Sequence, residues 1–186
     1  MSFFKKLFGK NEPEEKNEIE TDGKTYIKNE PGSYIINKDA QPKYTYKGLD
    51  ELQYGEITFC LNTLKHNIAP ACDFTAQPFH HPQNLDNYLT RWFQAGFGKF
   101  LGIDADQHAA FLAYSFGQYL VEVYNMEWKI KSDERGGKQT VVRMTSPAEI
   151  ELYPIDSTLR AIKNKDMTLY VAIDEKMKRA LEQFKK

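Results

Sequence analysis

Histidine and cysteine are scarce, and long apolar runs are missing. Four histidines and two cysteines in 186 residues leave few places for metal or thiol chemistry. Two cysteines in a chain this long make no disulfide framework. Both are expected as reduced thiols in a cytoplasm, buried as small apolar groups. No segment approaches the roughly 18 uncharged apolar residues that a membrane span needs. The opening MSFFKKLFGK breaks its apolar pairs with lysines, whereas a secretory signal needs an unbroken apolar core of about 7 to 15 residues. Neither sign of charge dominates. Lys+Arg 25 against Asp+Glu 26 leaves a formal net charge of -1, which argues against a nucleic-acid binder working through global positive charge.

Aromatic residues, by contrast, make up 13% of the chain. A disordered chain would lack them, so most of this one is expected to fold. Its length suits one domain with a sizeable core better than two. Three parts can be read. Residues 1–10 form a short amphipathic unit, with Phe3, Phe4, Leu7 and Phe8 on one helical face and Lys5, Lys6 and Lys10 away from it. Residues 11–23 read as a flexible acidic linker, rich in glutamate and with Ile19 as its only sizeable apolar side chain. Residues 24–186 read as a single globular domain.

Within that domain KTYIK and SYIIN, separated by Pro31-Gly32, predict a hairpin. A helix follows over about Leu49 to His66, with Leu49, Leu52, Ile57, Cys60, Leu61 and Leu64 as its stripe. Asn67 to Pro82 reads as a loop. A second helix is expected from about Asn84 to Leu101, its apolar side including Trp92, Phe93, Phe100 and Leu101, although Gly96 and Gly98 weaken it. The next helix is capped by Asp104, with Gln107 in the place of a capping-box partner, and runs to about Tyr124.

After Asn125 the period changes from helical to alternating. MEWKIK puts Met126, Trp128 and Ile130 on one face. SDERGGK is a polar turn, QTVVRM a return strand, and AEIELYP a third strand ended by Pro154. A helix over Ser157 to Lys163 and another over Asp174 to Phe184 complete the chain, with LYVAI at 169–173 ambiguous between strand and helix. The order is that of an α+β domain. An antiparallel sheet, a three-strand meander plus the N-terminal hairpin, packs against about three helices.

The segment from Phe111 to Asn164 resembles a family of small bacterial domains of unknown function. That family has a helix with a glycine near its end, a short Trp-containing strand, an acidic-Gly turn, a return strand, and a third strand closed by proline ahead of a short helix. Gly117, Trp128, Asp133, Glu134, Gly137 and Pro154 carry the likeness, which covers roughly residues 98–165. The family's helix after the proline usually bears a basic pair, and here Arg160 and Lys163 are not adjacent. The resemblance implies a fold and a bacterial origin, and supplies no activity to transfer.

The strongest candidate for chemistry is ACDFTAQPFHHPQNL, where Cys72 precedes His80 and His81, with Cys60 and His66 upstream. Zinc sites favour close pairs such as Cys-x2-4-Cys or His-x3-5-His, and these spacings are longer. Adjacent histidines in an extended segment point in different directions. The expected reading is a surface loop whose imidazoles satisfy local hydrogen bonds, with no metal or cofactor and no catalytic residue assigned. No Gly-x-Ser-x-Gly elbow is present. GFGKFLG contains Gly-x-Gly, but it lacks the third spaced glycine and a preceding strand, and close helix packing is the expected reason for it.

Three functions stay open. The first is a non-enzymatic protein-interaction module of adaptor or immunity type, with an unknown protein partner and no nucleic acid. Trp92, His80, His81, Tyr26 and Tyr34 are its candidate contacts, although Trp92 suits the core as well. The second is an enzyme or small-molecule-binding domain with a pocket between helices and sheet, using groups such as His108, Tyr114 and Glu122. The third is a protein peripheral to the inner membrane, touching it weakly through Phe3, Phe4, Leu7 and Phe8.

Overall fold

The computed structural model describes residues 44–72, 78–94 and 96–184. The N-terminal amphipathic unit, the acidic stretch and the expected hairpin, with Tyr26 and Tyr34, lie outside the described residues. Contacts group the chain into two units, one of residues 46–131 with 138–186 and one of residues 1–45 with 132–137. The described part of the smaller unit is chiefly the turn 132–137. There the Asp133 carboxylate accepts backbone N–H bonds from Arg135 and Gly137 at 2.9 and 2.7 Å. This is an acidic-residue turn closed by its own side chain.

The described chain begins with strand β1 (Thr45–Lys47) and helix α1 (Glu51–Thr63). Asp50 caps α1 through a reciprocal box with Gln53, both bonds 2.9 Å. The cap sets the start later than the expected Leu49. Ile57 and Cys60 are buried, and the same side continues through a wide π-type turn, Leu64–Ile68, whose Leu64 and Ile68 are also buried. Leu52, expected in that stripe, instead faces solvent at 79% exposure. Its angle around the helix is far from the centre of the buried side, which a list of apolar positions does not reveal.

The expected helix over 84–101 is two helices, α2 (Pro82–Trp92) and α3 (Phe97–Leu101). The break falls at Gly96, whose φ of +84° no ordinary side chain adopts cheaply. Pro82 takes the first turn of α2, where its missing N–H costs nothing. Phe100, expected on the apolar stripe, is exposed because the break resets the helical phase. Gly98 packs closely, as Gly-x-Gly suggests, but against a side chain. A Cβ there would stand 2.7 Å from the ring of Trp92.

Helix α4 (Ala105–Tyr124) is the centre of the core. Asp104 and Gln107 form the capping box read from the sequence, at 2.8 and 3.0 Å. Most residues from His108 to Leu120 are buried, so the helix is enclosed on nearly every side. Strands β2 (Glu127–Ser132), β3 (Lys138–Met144) and β4 (Ile150–Leu152) follow, and the sheet order is β1-β2-β3-β4. Strand β4 runs antiparallel to β3 with Arg143 opposite Glu151. The fold is α+β with a four-stranded antiparallel sheet. Its fourth strand is β1, taken from a stretch too short to show an alternating period, and not the hairpin expected upstream. Met126, Trp128 and Ile130 are buried, as their alternation requires.

Helices α5 (Pro154–Asn164) and α6 (Leu169–Glu182) close the chain. The ambiguous LYVAI is the first turn of α6. The buried Asp86 carboxylate accepts the backbone N–H groups of Tyr170 and Val171, both at 3.0 Å. A carboxylate 84 positions upstream thus meets the orphan donors of this helix N-terminus. Among the described residues no helix is long and apolar enough to cross a membrane.

Candidate functional site

His80 and His81 turn away from each other. His80 is buried against α4, and its Nε2 lies 2.9 Å from Glu122 Oε2. A carboxylate oxygen only accepts, so Nε2 carries the proton. Glu122 also accepts from Gln118 Nε2 at 3.0 Å. The His80 ring meets Phe79 edge-on at 4.8 Å and Tyr119 at 6.3 Å. Burial lowers the pKa of His80, and Glu122 opposes that shift. His81 instead caps α2, its Nδ1 accepting from Gln83 N at 3.3 Å while its ring packs on Tyr119.

The two cysteines are buried elsewhere in the same core. Burial pushes the Cys60 thiol up to about 12, so it is no ready nucleophile. His66 is exposed beyond the end of α1. Among the described residues no group of three or more His, Cys, Asp or Glu side chains is arranged to hold a metal ion.

Tyr119 connects this region to a second cluster. Its hydroxyl donates to Asp174 Oδ1 at 2.9 Å, the Tyr124 hydroxyl donates to the same oxygen, and Lys178 Nζ sits 2.7 Å from Oδ2. Burial alone would raise the pKa of Asp174, but Lys178, Tyr124 and Tyr119 together hold the carboxyl below its ordinary value. Burial raises both tyrosines, and the Asp174 charge adds to it. The node is a fixed carboxylate with three committed donors, suited to holding α4 and α6 together.

Two members of that node, Tyr124 and Lys178, stand at the edge of a groove of about 490 Å³. Its apolar walls are Val123 at the end of α4, Met144 at the end of β3, Pro147, and Leu181 and Phe184 at the end of α6. Val123 and Phe184 are each 52% exposed, high for large apolar side chains flanking a concavity. The groove therefore offers apolar walls with the ammonium of Lys178, the carboxylate of Glu182 and the phenol of Tyr124 among its polar lining, the usual makeup of a binding site.

Other sequence candidates fall apart in space. Trp92 lies flat on His108, ring centroids 4.0 Å apart and planes 11° apart. His108 is fully buried, with no hydrogen-bond partner for either ring nitrogen among the described residues, and burial pushes its pKa down to about 3. Tyr114 packs on Trp128, and Glu122 holds His80. The pocket imagined from His108, Tyr114 and Glu122 is not formed, because the three go to separate neighbours along one helix.

A further polar network lines the sheet. Lys131 Nζ reaches Glu151 Oε1 at 2.6 Å and the Tyr153 hydroxyl at 2.5 Å. The Arg143 guanidinium sits 3.9 Å from the ring centre of Tyr46. Arg143 also pairs with Glu149, so both basic groups have an acidic partner, which suits stabilisation of the sheet.

Sequence reasoning missed Asp174, Tyr119, Tyr124, Lys178 and the groove. Only the i,i+4 pair of Asp174 and Lys178 leaves a local trace. The tyrosines reach Asp174 across 50 and 55 positions. Compared with protein-family models, curated proteins and solved structures, the chain matches none.

Proposed function

We propose that the chain is a non-enzymatic protein-interaction module, of adaptor or immunity type, that receives an apolar segment of a partner protein in the groove between the ends of α4, β3 and α6. The half-exposed pair Val123 and Phe184 on an apolar concavity carries this reading. Two apolar side chains left open beside buried neighbours suit an anchor that a partner completes. Lys178, paired with Asp174 and more than half exposed, keeps further ammonium hydrogens for a carbonyl of the incoming segment. The cluster around Asp174 supports the same reading, since its donors and acceptors hold one another. The likeness to small bacterial domains is the ground for a bacterial origin, and the two buried, unbridged cysteines are the ground for a cytoplasmic setting.

A groove of about 490 Å³ also falls in the size range of small-molecule sites, and this observation favours one second reading, a bound apolar metabolite. Leu181→Asp separates the two. Wild-type and variant protein are used as bait, and the same preparations are weighed by native mass spectrometry. A protein retained by the wild type and lost by the variant, with the bare chain mass in both, supports the module. A retained small molecule that Leu181→Asp releases replaces it with the ligand-binding reading.

A further inference from the structure

We propose that the outward face of α1 is a self-association surface, on which a second copy of this chain docks as an antiparallel helix. It is separate from the groove, and either can fail without the other.

Helix α1 is apolar on two opposite sides. Ile57 and Cys60 face the core, while Leu52 is 79% and Phe59 55% exposed. Between these two, one turn from each, stands Gly55. Glycine is the least favourable helix residue after proline, so a place inside a helix needs a reason. At Gly98 and Gly117 the reason is internal, because an aromatic ring occupies the space of the missing side chain. At Gly55 nothing among the described residues lies within 4 Å of an added Cβ. The positions 52, 55, 59, 62 and 66 follow the alternating three-and-four spacing of a helix-pairing seam. A gap at the middle of an exposed apolar seam is what a second helix needs to approach closely.

The charges say which helix. The capped end of α1 carries exposed Asp50 and Glu51, and the π-type turn that continues its far end carries exposed Lys65 and His66. Two copies packed antiparallel about a two-fold axis at Phe59 bring each acidic end to the other's basic end. The same axis places Phe59 on its own copy, Gly55 beside Asn62, and Leu52 over His66. Every contact off the axis is made twice, as a two-fold interface requires. A parallel pair would set acid against acid at one end and base against base at the other. The seam thus selects an antiparallel second copy.

One helix pair buries less area than a stable dimer needs, so the association is weak and depends on concentration. Sedimentation equilibrium of the full chain tests it from about 10 to about 500 µM, the regime of small interfaces. The average mass should rise toward that of a dimer, and Phe59→Asp should weaken association at least about tenfold. Glu51→Lys should also weaken it, and adding Lys65→Glu to that variant should restore it, which nonspecific stickiness would not do. Circular dichroism shows whether each variant keeps its fold, and Leu52→Lys is the second variant should Phe59→Asp lose it. A chain that stays monomeric over the whole range overturns the proposal and leaves the face to a different protein. A dimer indifferent to both Phe59→Asp and Leu52→Lys, or a charge swap that restores nothing, overturns it as well.

Discussion

The indole of Trp128 occupies the space that a side chain on Gly117 would need. A Cβ built on Gly117 stands 2.0 Å from the ring. The glycine lies in the middle of the buried helix α4, and the tryptophan lies on the first strand of the hairpin that follows. Helix and sheet meet through this contact, so it sets how closely the two layers pack.

Gly117→Ala should therefore destabilise the protein, although alanine is the better helix former. Overpacking a filled core typically costs about 1–3 kcal/mol, more than the roughly 1 kcal/mol that helix propensity returns. A melting temperature lower by several degrees is the expected outcome, at about 2–4 °C per kcal/mol for a chain of this size. In a Trp128→Phe background the same substitution should cost less, because a smaller ring leaves room for the new methyl. An equal cost in both backgrounds would remove the contact from the account.

Asp86 ties α2 to the N-terminus of α6. Asp86→Ala should cost about 1–2 kcal/mol, as loss of a helix cap does. Burial pushes the carboxyl up to about 6 from 3.8, against the pull of the two N–H bonds. Between these values the folded state binds more protons than the unfolded state. The Asp86 contribution to stability is therefore present in full below about 3.8 and declines as pH rises through 6. In urea unfolding between pH 4 and 7, the stability of the wild type relative to Asp86→Asn should fall as pH rises, a difference in which His108 and the other titrating groups cancel.

His108 titrates with the opposite sign. Its folded pKa is depressed to about 3 from 6.5, so the unfolded state binds more protons between those values. Its contribution is complete above 6.5 and is lost as pH falls toward 3. Its two ring nitrogens are buried with no partner among the described residues. His108→Phe keeps an aromatic ring against Trp92 and removes the unpaired polar atoms, which should stabilise by up to about 1–3 kcal/mol. The gain should grow as the solution is acidified, read from chemical denaturation at pH 4.5 and pH 7.5. A gain independent of pH would show that His108 does not titrate on unfolding.

Asp174→Ala removes the acceptor of the Tyr119 and Tyr124 hydroxyls. Tyr124 keeps the Asp174 backbone oxygen as an acceptor at 3.3 Å, and leaving the buried Tyr119 hydroxyl unpaired should cost about 1–3 kcal/mol. Lys178→Ala should cost much less, because that lysine is more than half exposed and such pairs contribute little. Thermal melts of the two variants side by side check the ranking. A Lys178→Ala loss as large as that of Asp174→Ala would reverse it.

How much of this was legible in the sequence depended on range. The Asp104–Gln107 box could be read because both partners lie within one turn, and the alternation around Trp128 could be read because a strand face repeats every second residue. The helix break at Gly96 was signalled only as weakness, since glycine allows a positive φ without requiring it. Leu52 was misplaced because an apolar residue on a helix carries no label for which side is covered. The Asp86 cap, the His80–Glu122 pair and the Asp174 node join residues 42 to 85 positions apart, and nothing local marks either partner. The adjacent His80 and His81 mark the loop before α2, while the groove walls are valine, methionine, leucine and phenylalanine, ordinary core residues, with one proline.

The central claim is that the groove receives a partner protein. It is tested most directly by placing a photoreactive phenylalanine analogue at Phe184, and separately at the exposed Phe100 outside the groove, in cells of the source organism. The account predicts a discrete protein adduct from position 184, absent from position 100, that disappears when Leu181→Asp is added. No adduct at 184, or the same adducts at both positions whatever occupies position 181, would contradict it.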